Sequence, residues 1–294
     1  MNSPRYERID VPASFSLRET CAPVWWIGDR SPRHAWIEDT LVVIEASGDH
    51  DVYREVTQPI PGVLRISTAV SDVHHATWAR RVLGTGVNMP SWSDPVLEKL
   101  SGTFPGMRPY SDGSLFAGII TAIIGQSVSL ASAAAAQRKL AMAFHPGVSS
   151  RRRMFFPLPR PAQLADASLD LIRSSGVTWK RAEALQFIAR EQLAGRLPTD
   201  DQATSDQDEV TRALLALPVV GKWTAQSVLL WGVGAMDAHP TGDVALLNAA
   251  RKAYARPTMT MRELDTLSEE WRPNRGMAAR LLWANLFGTP PAAK

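Results

Sequence analysis

Leu217-Pro218-Val219-Val220-Gly221-Lys222-Trp223-Thr224-Ala225 is a short apolar turn lying between two stretches with helical spacing. Proline stops the first helix, and glycine allows the sharp reversal into the next. Backbone N–H groups at the start of the second helix are left unpaired. Together with the positive end of the helix dipole they offer a site for a phosphate, indifferent to base sequence. An ordinary helix-helix connection would carry the same residues, so this segment alone leaves both readings open.

On both sides of the turn, apolar residues recur at helical intervals. The spacing predicts helices over 95–100, 115–124, 128–144, 161–165, 169–174, 179–194, 208–216, 222–231, 244–253, 261–270 and 274–286. Residues 146–160, where Arg151-Arg152-Arg153 sits among prolines, read as an exposed loop whose charges face either DNA or water. The N-terminal part is different. Strand-like runs at 15–18, 24–27, 41–45 and 63–66 are separated by turn-forming Gly28-Asp29, Gly48-Asp49 and Pro59 to Gly62. An amphipathic segment over 73–83 closes this module, and 84–95 reads as a joint. The expectation is a mainly α fold with an N-terminal α+β module, divided into residues 1–84 and an all-α domain over 85–294.

The bulk properties permit nucleic acid without demanding it. The 294 residues are 45% hydrophobic and 21% charged, as in ordinary globular proteins, with a formal net charge of +3. A pI near 9.2 leans basic, and arginine is well suited to forked phosphate contacts. Cys21 is the single cysteine, which excludes an internal disulfide framework and a four-thiolate iron-sulfur cluster. The first residues carry Arg5, Glu7, Arg8 and Asp10 with no apolar run, unlike a secretory signal. The most apolar stretch, 115–124, is far short of the roughly 20 residues needed to cross a bilayer. These features lead us to expect a cytoplasmic monomer with no membrane segment.

Downstream of the turn stands Asp237-Ala238-His239-Pro240-Thr241-Gly242-Asp243-Val244-Ala245-Leu246. Asp243 falls at the first turn of a new helix, where the helix terminus stabilises an anion. Taken alone, a plain N-cap is the favoured reading of it.

The 217–225 segment resembles the helix-hairpin-helix of DNA glycosylases, whose pattern is Leu-Pro-Gly-Val-Gly followed after two residues by Thr-Ala. Val219 stands where that pattern has its first glycine. An aspartate after the hairpin is part of the same resemblance, and the Asp-Ala-aromatic-Pro-x-x-Asp form is similar to the alkylated-base branch, with His239 in place of the usual Phe. Glu270-Trp271-Arg272-Pro273-Asn274-Arg275-Gly276-Met277-Ala278-Ala279-Arg280-Leu281-Leu282-Trp283 resembles the last conserved block of the bacterial 3-methyladenine DNA glycosylase II group. Thr121-Ala122-Ile123-Ile124-Gly125-Gln126-Ser127-Val128-Ser129 is similar to a third family block, and Gly176-Val177-Thr178-Trp179-Lys180-Arg181-Ala182 to a fourth. Together they span 83–286.

The resemblance implies a monofunctional glycosylase acting on alkylated, 3-methyladenine-type purines in duplex DNA during base excision repair. The target base is flipped out of the stack. Asp243 is then the catalytic carboxylate, facing positive charge that develops on the sugar in the oxocarbenium manner. Trp283 and Trp223 line the base pocket, where a flat indole suits an alkylated, positively charged base. Ser227, aromatic in the best-known family member, leaves one stacking wall missing or supplied from elsewhere. DNA contacts fall to Gly221, Thr224, Val219, Gln126, Ser127 and Lys180. Ser127 is either the minor-groove probe or the N-cap of the helix near 128, as Ser129 also could be. Glycosylases that also cut the strand use a lysine two residues after the last hairpin glycine; Trp223 occupies that position here. No cofactor is required on this reading, although the family implies a monovalent cation between hairpin carbonyls and a DNA phosphate. The competing reading is a helix-hairpin-helix protein that binds damaged DNA with little or no catalysis, motivated by Val219, Ser127 and Ser227.

Overall fold

A computed structural model of the chain describes residues 5–68 and 74–291. Residue 73, the first of the expected amphipathic segment, lies outside the described residues. The N-terminal part forms an antiparallel five-stranded sheet in the order β1-β5-β4-β3-β2. Its strands are β1 (Arg5–Asp10), β2 (His34–Ile37), β3 (Thr40–Ser47), β4 (His50–Ile60) and β5 (Val63–Thr68).

Two expected strands are helices instead. Residues 15–18 contribute to α1 (Leu17–Thr20), where the Ser16 hydroxyl accepts from the Glu19 amide at 3.2 Å. That is half of a capping box, and Ser-x-x-Glu marks a helix start more firmly than the alternation of 15–18 marks a strand. Residues 24–27 belong to α2 (Ala22–Ile27), which begins with Pro23 in its first turn and stops at Gly28. Proline inside the start and glycine past the end form the helical punctuation that outweighs the β preference of Val24-Trp25-Trp26-Ile27.

The longest strand, β4, escaped the sequence reading because Arg54 lies on its inward side. Arg54 is buried, bonded to Glu45 at 2.9 Å and placed over the Trp78 ring at 4.8 Å, so a charge interrupts the apolar alternation. Helix α3 (His75–Leu83) covers the sheet, burying Trp78, Ala79, Val82 and Leu83 against Leu41, Val43, Val56, Leu64 and Ile66.

The remainder is helical apart from one small hairpin. It runs through α4 (Pro95–Thr103), α5 (Leu115–Gly125), α6 (Leu130–Phe144), α7 (Pro161–Asp166), α8 (Leu169–Arg173), α9 (Trp179–Leu193), α10 (Asp200–Ser205) and α11 (Gln207–Leu215). It continues with α12 (Lys222–Ser227), a π turn over Val228–Gly232, α13 (Val244–Ala253), α14 (Met261–Ser268) and α15 (Arg275–Phe287).

The stretch 146–160 is not a plain loop. It contains β6 (Val148–Ser150) and β7 (Arg153–Phe155), and Phe155 packs with Ala35, Val42 and Ile44 of the sheet. Its arginines serve that contact: Arg151 pairs with Glu55 at 2.8 Å and Arg153 with Asp29 at 2.8 Å.

Helix α5 is the axis of the helical core. A Cβ on Gly118 would lie 2.6 Å from the Gly232 Cα, so α5 and the π turn touch backbone to backbone. This contact is what brings the loop after α5 beside the hairpin.

Candidate active site

The hairpin adopts the conformation its pattern calls for, despite the missing glycine. Val219 has φ +59°, in the left-handed region that a β-branched side chain disfavours. The left-handed turn is therefore formed without glycine, and the Val219 side chain carries the strain. Gly221 caps α12 with no side-chain hydrogen bond, which leaves the first-turn amides facing outward beside an exposed residue.

The loop after α5 is bolted to this hairpin. The Gln126 side chain donates through Nε2 to the Val219 carbonyl at 2.7 Å and to the Thr224 hydroxyl at 3.0 Å. Arg181, in the first turn of α9, donates to the Gln126 Oε1 at 3.2 Å and to its carbonyl at 2.8 Å. Gln126 is thus a bracket joining three segments. Thr224 is buried with its hydroxyl engaged, so it braces the hairpin from inside. Ser127 is exposed at φ +55°, and Ser129 rather than Ser127 is the α6 cap, accepting from the Ser132 amide at 3.1 Å. Lys180, in the first turn of α9, is exposed.

Asp243 caps α13 and does more than cap it. Its Oδ1 accepts from the Leu246 amide at 2.8 Å, while Oδ2 accepts from the Trp223 Nε1 at 3.0 Å. Both oxygens are thereby oriented, one by the helix it starts and one by the hairpin helix. The loop ahead of it is fastened at several points. The His239 amide donates to Gln226 Oε1 at 2.9 Å, and the His239 ring meets Asp265 at 3.0 Å. Burial holds that imidazole below its usual range, and hydrogen bonding to Asp265 opposes the shift. Arg275 grips Asp237 through Nε at 3.0 Å and Nη2 at 2.9 Å, while the Gly276 amide donates to the Met236 carbonyl at 2.7 Å. The start of α15 is therefore tied to the loop that presents Asp243.

Trp223 and Trp283 do not sit side by side. Trp223 reaches Asp243 at one end of the α12 face, and its ring edge lies 3.9 Å from the Cβ position of Gly125. Trp283 lies at the other end, stacked on Trp231 with centroids 5.4 Å apart and planes 28° apart. Ser227 is buried between them in sequence and supplies no ring. Trp231, which lies on Trp283, is not singled out by the motifs. The signal was present: Trp223, Ser227 and Trp231 follow at four-residue intervals, and the π turn, a local feature frequent at functional sites, carries the last of them. Trp271, the first tryptophan of the C-terminal block, is core, stacked on Tyr254 at 6.4 Å.

Among the described residues no group of three or more His, Cys, Asp or Glu side chains is arranged to hold a metal ion. No helix among them is long and apolar enough to cross a membrane. The hairpin carbonyls that a monovalent cation would use are partly engaged, Leu217 by the Val220 amide at 3.3 Å and Val219 by Gln126.

No family model matches the chain. It is 28% identical over 243 residues to DNA-3-methyladenine glycosylase 2 of Escherichia coli, covering 79% of this chain and 81% of that protein. It is 32% identical over 197 residues to the probable bifunctional transcriptional activator/DNA repair enzyme AlkA of Mycobacterium tuberculosis, covering 66% of this chain and 38% of that protein. The fold is shared with the 3-methyladenine DNA glycosylase from Archaeoglobus fulgidus, at a TM-score of 0.80 and 18% identity over 96% of this chain and 98% of that one.

Proposed function

Given that the chain belongs to the helix-hairpin-helix superfamily of DNA glycosylases, we propose that it hydrolyses the N-glycosidic bond of alkylated purines in duplex DNA through Asp243. The observation that carries this reading is the double clamp on Asp243. A carboxylate needed only as a cap uses one oxygen on the helix amides; here the second oxygen is held by an indole at the hairpin. Such a fixed anion stabilises positive charge as the sugar-base bond breaks, and it needs no reorganisation at that moment.

The chain's own residues supply the remaining steps. The outward amides at Gly221 and Lys222 take a phosphate flanking the lesion. Gln126 and Arg181 hold the adjacent loop against the hairpin, so that Ser127 and its neighbours enter the groove as one rigid unit with the phosphate grip. The extruded base lies along the face between Trp223 and Trp283. Water attacks the sugar, because Trp223 occupies the position of the lysine on which a lyase would build a Schiff base. A monovalent cation at the hairpin would add to phosphate binding and takes no part in bond cleavage.

Single-turnover assays on duplexes bearing 3-methyladenine, 7-methylguanine, hypoxanthine or 1,N6-ethenoadenine test the reading. Release of free base, an alkali-labile abasic site and no borohydride-trapped adduct are expected. Tight lesion binding with no release of any base would favour the damage-binding protein instead.

A further inference from the structure

His239 stands four residues ahead of Asp243, in the loop that presents it. Its amide donates to Gln226 Oε1 at 2.9 Å, on the same helix, α12, from which Trp223 reaches Asp243 Oδ2 at 3.0 Å. The loop is therefore set against one helix at both ends. Between those ends it has little slack. The Thr241 amide donates to the His239 carbonyl at 2.8 Å, and the Asp243 amide donates to the Pro240 carbonyl at 3.1 Å. The His239 ring, in a residue 4% exposed, meets a different helix: Nε2 is 3.0 Å from Asp265 Oδ1 on α14. A carboxylate only accepts, so the neutral ring carries its proton on Nε2 and its lone pair on Nδ1. Nδ1 is buried without a hydrogen-bond partner among the described residues.

We propose that His239, tethered by Asp265, is a positioning residue for Asp243: the neutral ring holds the 237–243 loop in its working geometry, and a proton taken up at Nδ1 slackens it. This rests on the glycosylase reading above. The tether acts through the backbone, because the two turns between His239 and Asp243 pass any shift of the ring on to the carboxylate. The slackening follows from the orphan nitrogen. A proton on Nδ1 creates an N–H and a charge in a buried site where no acceptor faces them, so the charged ring is better accommodated once the loop opens to water. The charged neighbours leave that balance in place. Burial holds the imidazole below its usual range and the Arg275 cation adds to this, while the bond and charge of Asp265 and the Glu269 carboxylate oppose it. Asp237, on the loop itself, is taken up by Arg275 and Arg272. A group that binds its proton more weakly in the closed loop than in the open one drives opening when it is protonated. Base release therefore has an acid limb below pH 6.5 that belongs to His239 and ends at the rate of the untethered loop.

The test is single-turnover release of the lesion that the wild type processes fastest, followed at saturating protein from about pH 8 to about pH 4.5. His239→Phe, Asp265→Ala and Asp265→Asn are measured beside the wild type, with lesion-duplex affinity and circular dichroism at each pH. Acid loss that belongs to Asp243 or to the DNA is common to all four proteins, so the differences between profiles carry the result. His239→Phe and Asp265→Ala lose the tether and are expected to release base about tenfold more slowly at neutral pH, with affinity within about twofold of wild type. Asp265→Asn keeps an acceptor for Nε2 and is expected to rescue the neutral rate. It removes the charge that favours the imidazolium, so the midpoint of its acid limb should lie about one pH unit below that of the wild type. The wild-type rate should fall about tenfold with acid, toward the level of His239→Phe, which itself stays flat through that limb. The same acid limb in His239→Phe as in the wild type overturns the proposal, as does a wild-type rate in Asp265→Ala. A wild-type loss that coincides with the loss of ellipticity overturns it equally, since the ring then serves only global stability. Should His239→Phe not fold, an unmoved midpoint in Asp265→Asn overturns it. A wild-type protein that releases no lesion at any pH defeats the glycosylase reading itself and is distinguishable from each of these.

Discussion

Trp223→Phe separates the two roles of the indole beside the carboxylate proposed to be catalytic. Phenylalanine keeps an aromatic ring near Gly125 and loses only the N–H that reaches Asp243 Oδ2 at 3.0 Å. A hydrogen bond to a charged group contributes about 1.5–3 kcal/mol. If its full value is used to hold Oδ2 in the orientation the transition state needs, its loss slows base release by roughly tenfold to a hundredfold. Stability should fall less, by about 1 kcal/mol, because Asp243 is only partly buried and water can replace the lost donor. The assay is single-turnover release from the lesion that the wild type processes fastest, at saturating protein, with urea unfolding alongside. Unchanged release would show that the clamp on Oδ2 is incidental. Faster release would be more damaging, because it would mean the indole holds the carboxylate away from the sugar and the clamped geometry is a resting state.

Three further outcomes follow from the structure. Val219→Gly should stabilise the protein by about 1 kcal/mol in urea unfolding: relief of left-handed strain of about 1–2 kcal/mol exceeds the added chain entropy of glycine. Gly118→Ala should destabilise it by about 1–3 kcal/mol and lower Tm, since the new methyl meets the Gly232 Cα at 2.6 Å and neither backbone can yield. Stability should also fall as pH drops below 6.5. The imidazoles of His34, His75, His145 and His239 are all held below their usual range, chiefly by burial. For each, the unfolded chain binds the proton first, so the contribution is fully present above pH 6.5 and is lost as pH falls toward the folded value. Unfolding curves at pH 7.5 and 5.5 check this, and His239→Gln should reduce the difference.

Much of the site could be read from the residues because its motifs encode local geometry. Gly221 and Pro218 describe the hairpin turn, and Asp243 followed by a helical run describes a capped helix. What could not be read were properties that exist only between segments. The reach of Trp223 to Asp243, the bracket formed by Gln126 and the stack of Trp231 on Trp283 each join positions remote in sequence. Val219 shows the opposite limit. Its side chain suggested either a locally different backbone or a position with no need of glycine, but the surrounding contacts hold the left-handed turn against that preference. In the N-terminal module the alternation of 15–18 suggested a strand, while Ser16 and Glu19 carried the helical signal that decided the outcome. Arg54 hid β4 because its charge is neutralised by Glu45 on the neighbouring strand, a pairing no window of sequence displays.

The central claim rests on the charge of Asp243, and Asp243→Asn removes that charge while leaving a side chain that caps helices equally well. Unit charges about 4 Å apart at an effective dielectric of 20 interact by about 4 kcal/mol, so single-turnover base release should fall by about a thousandfold. Lesion-duplex affinity and Tm should stay near wild type. Release by Asp243→Asn at the wild-type rate, with the protein folded and bound, would contradict the account.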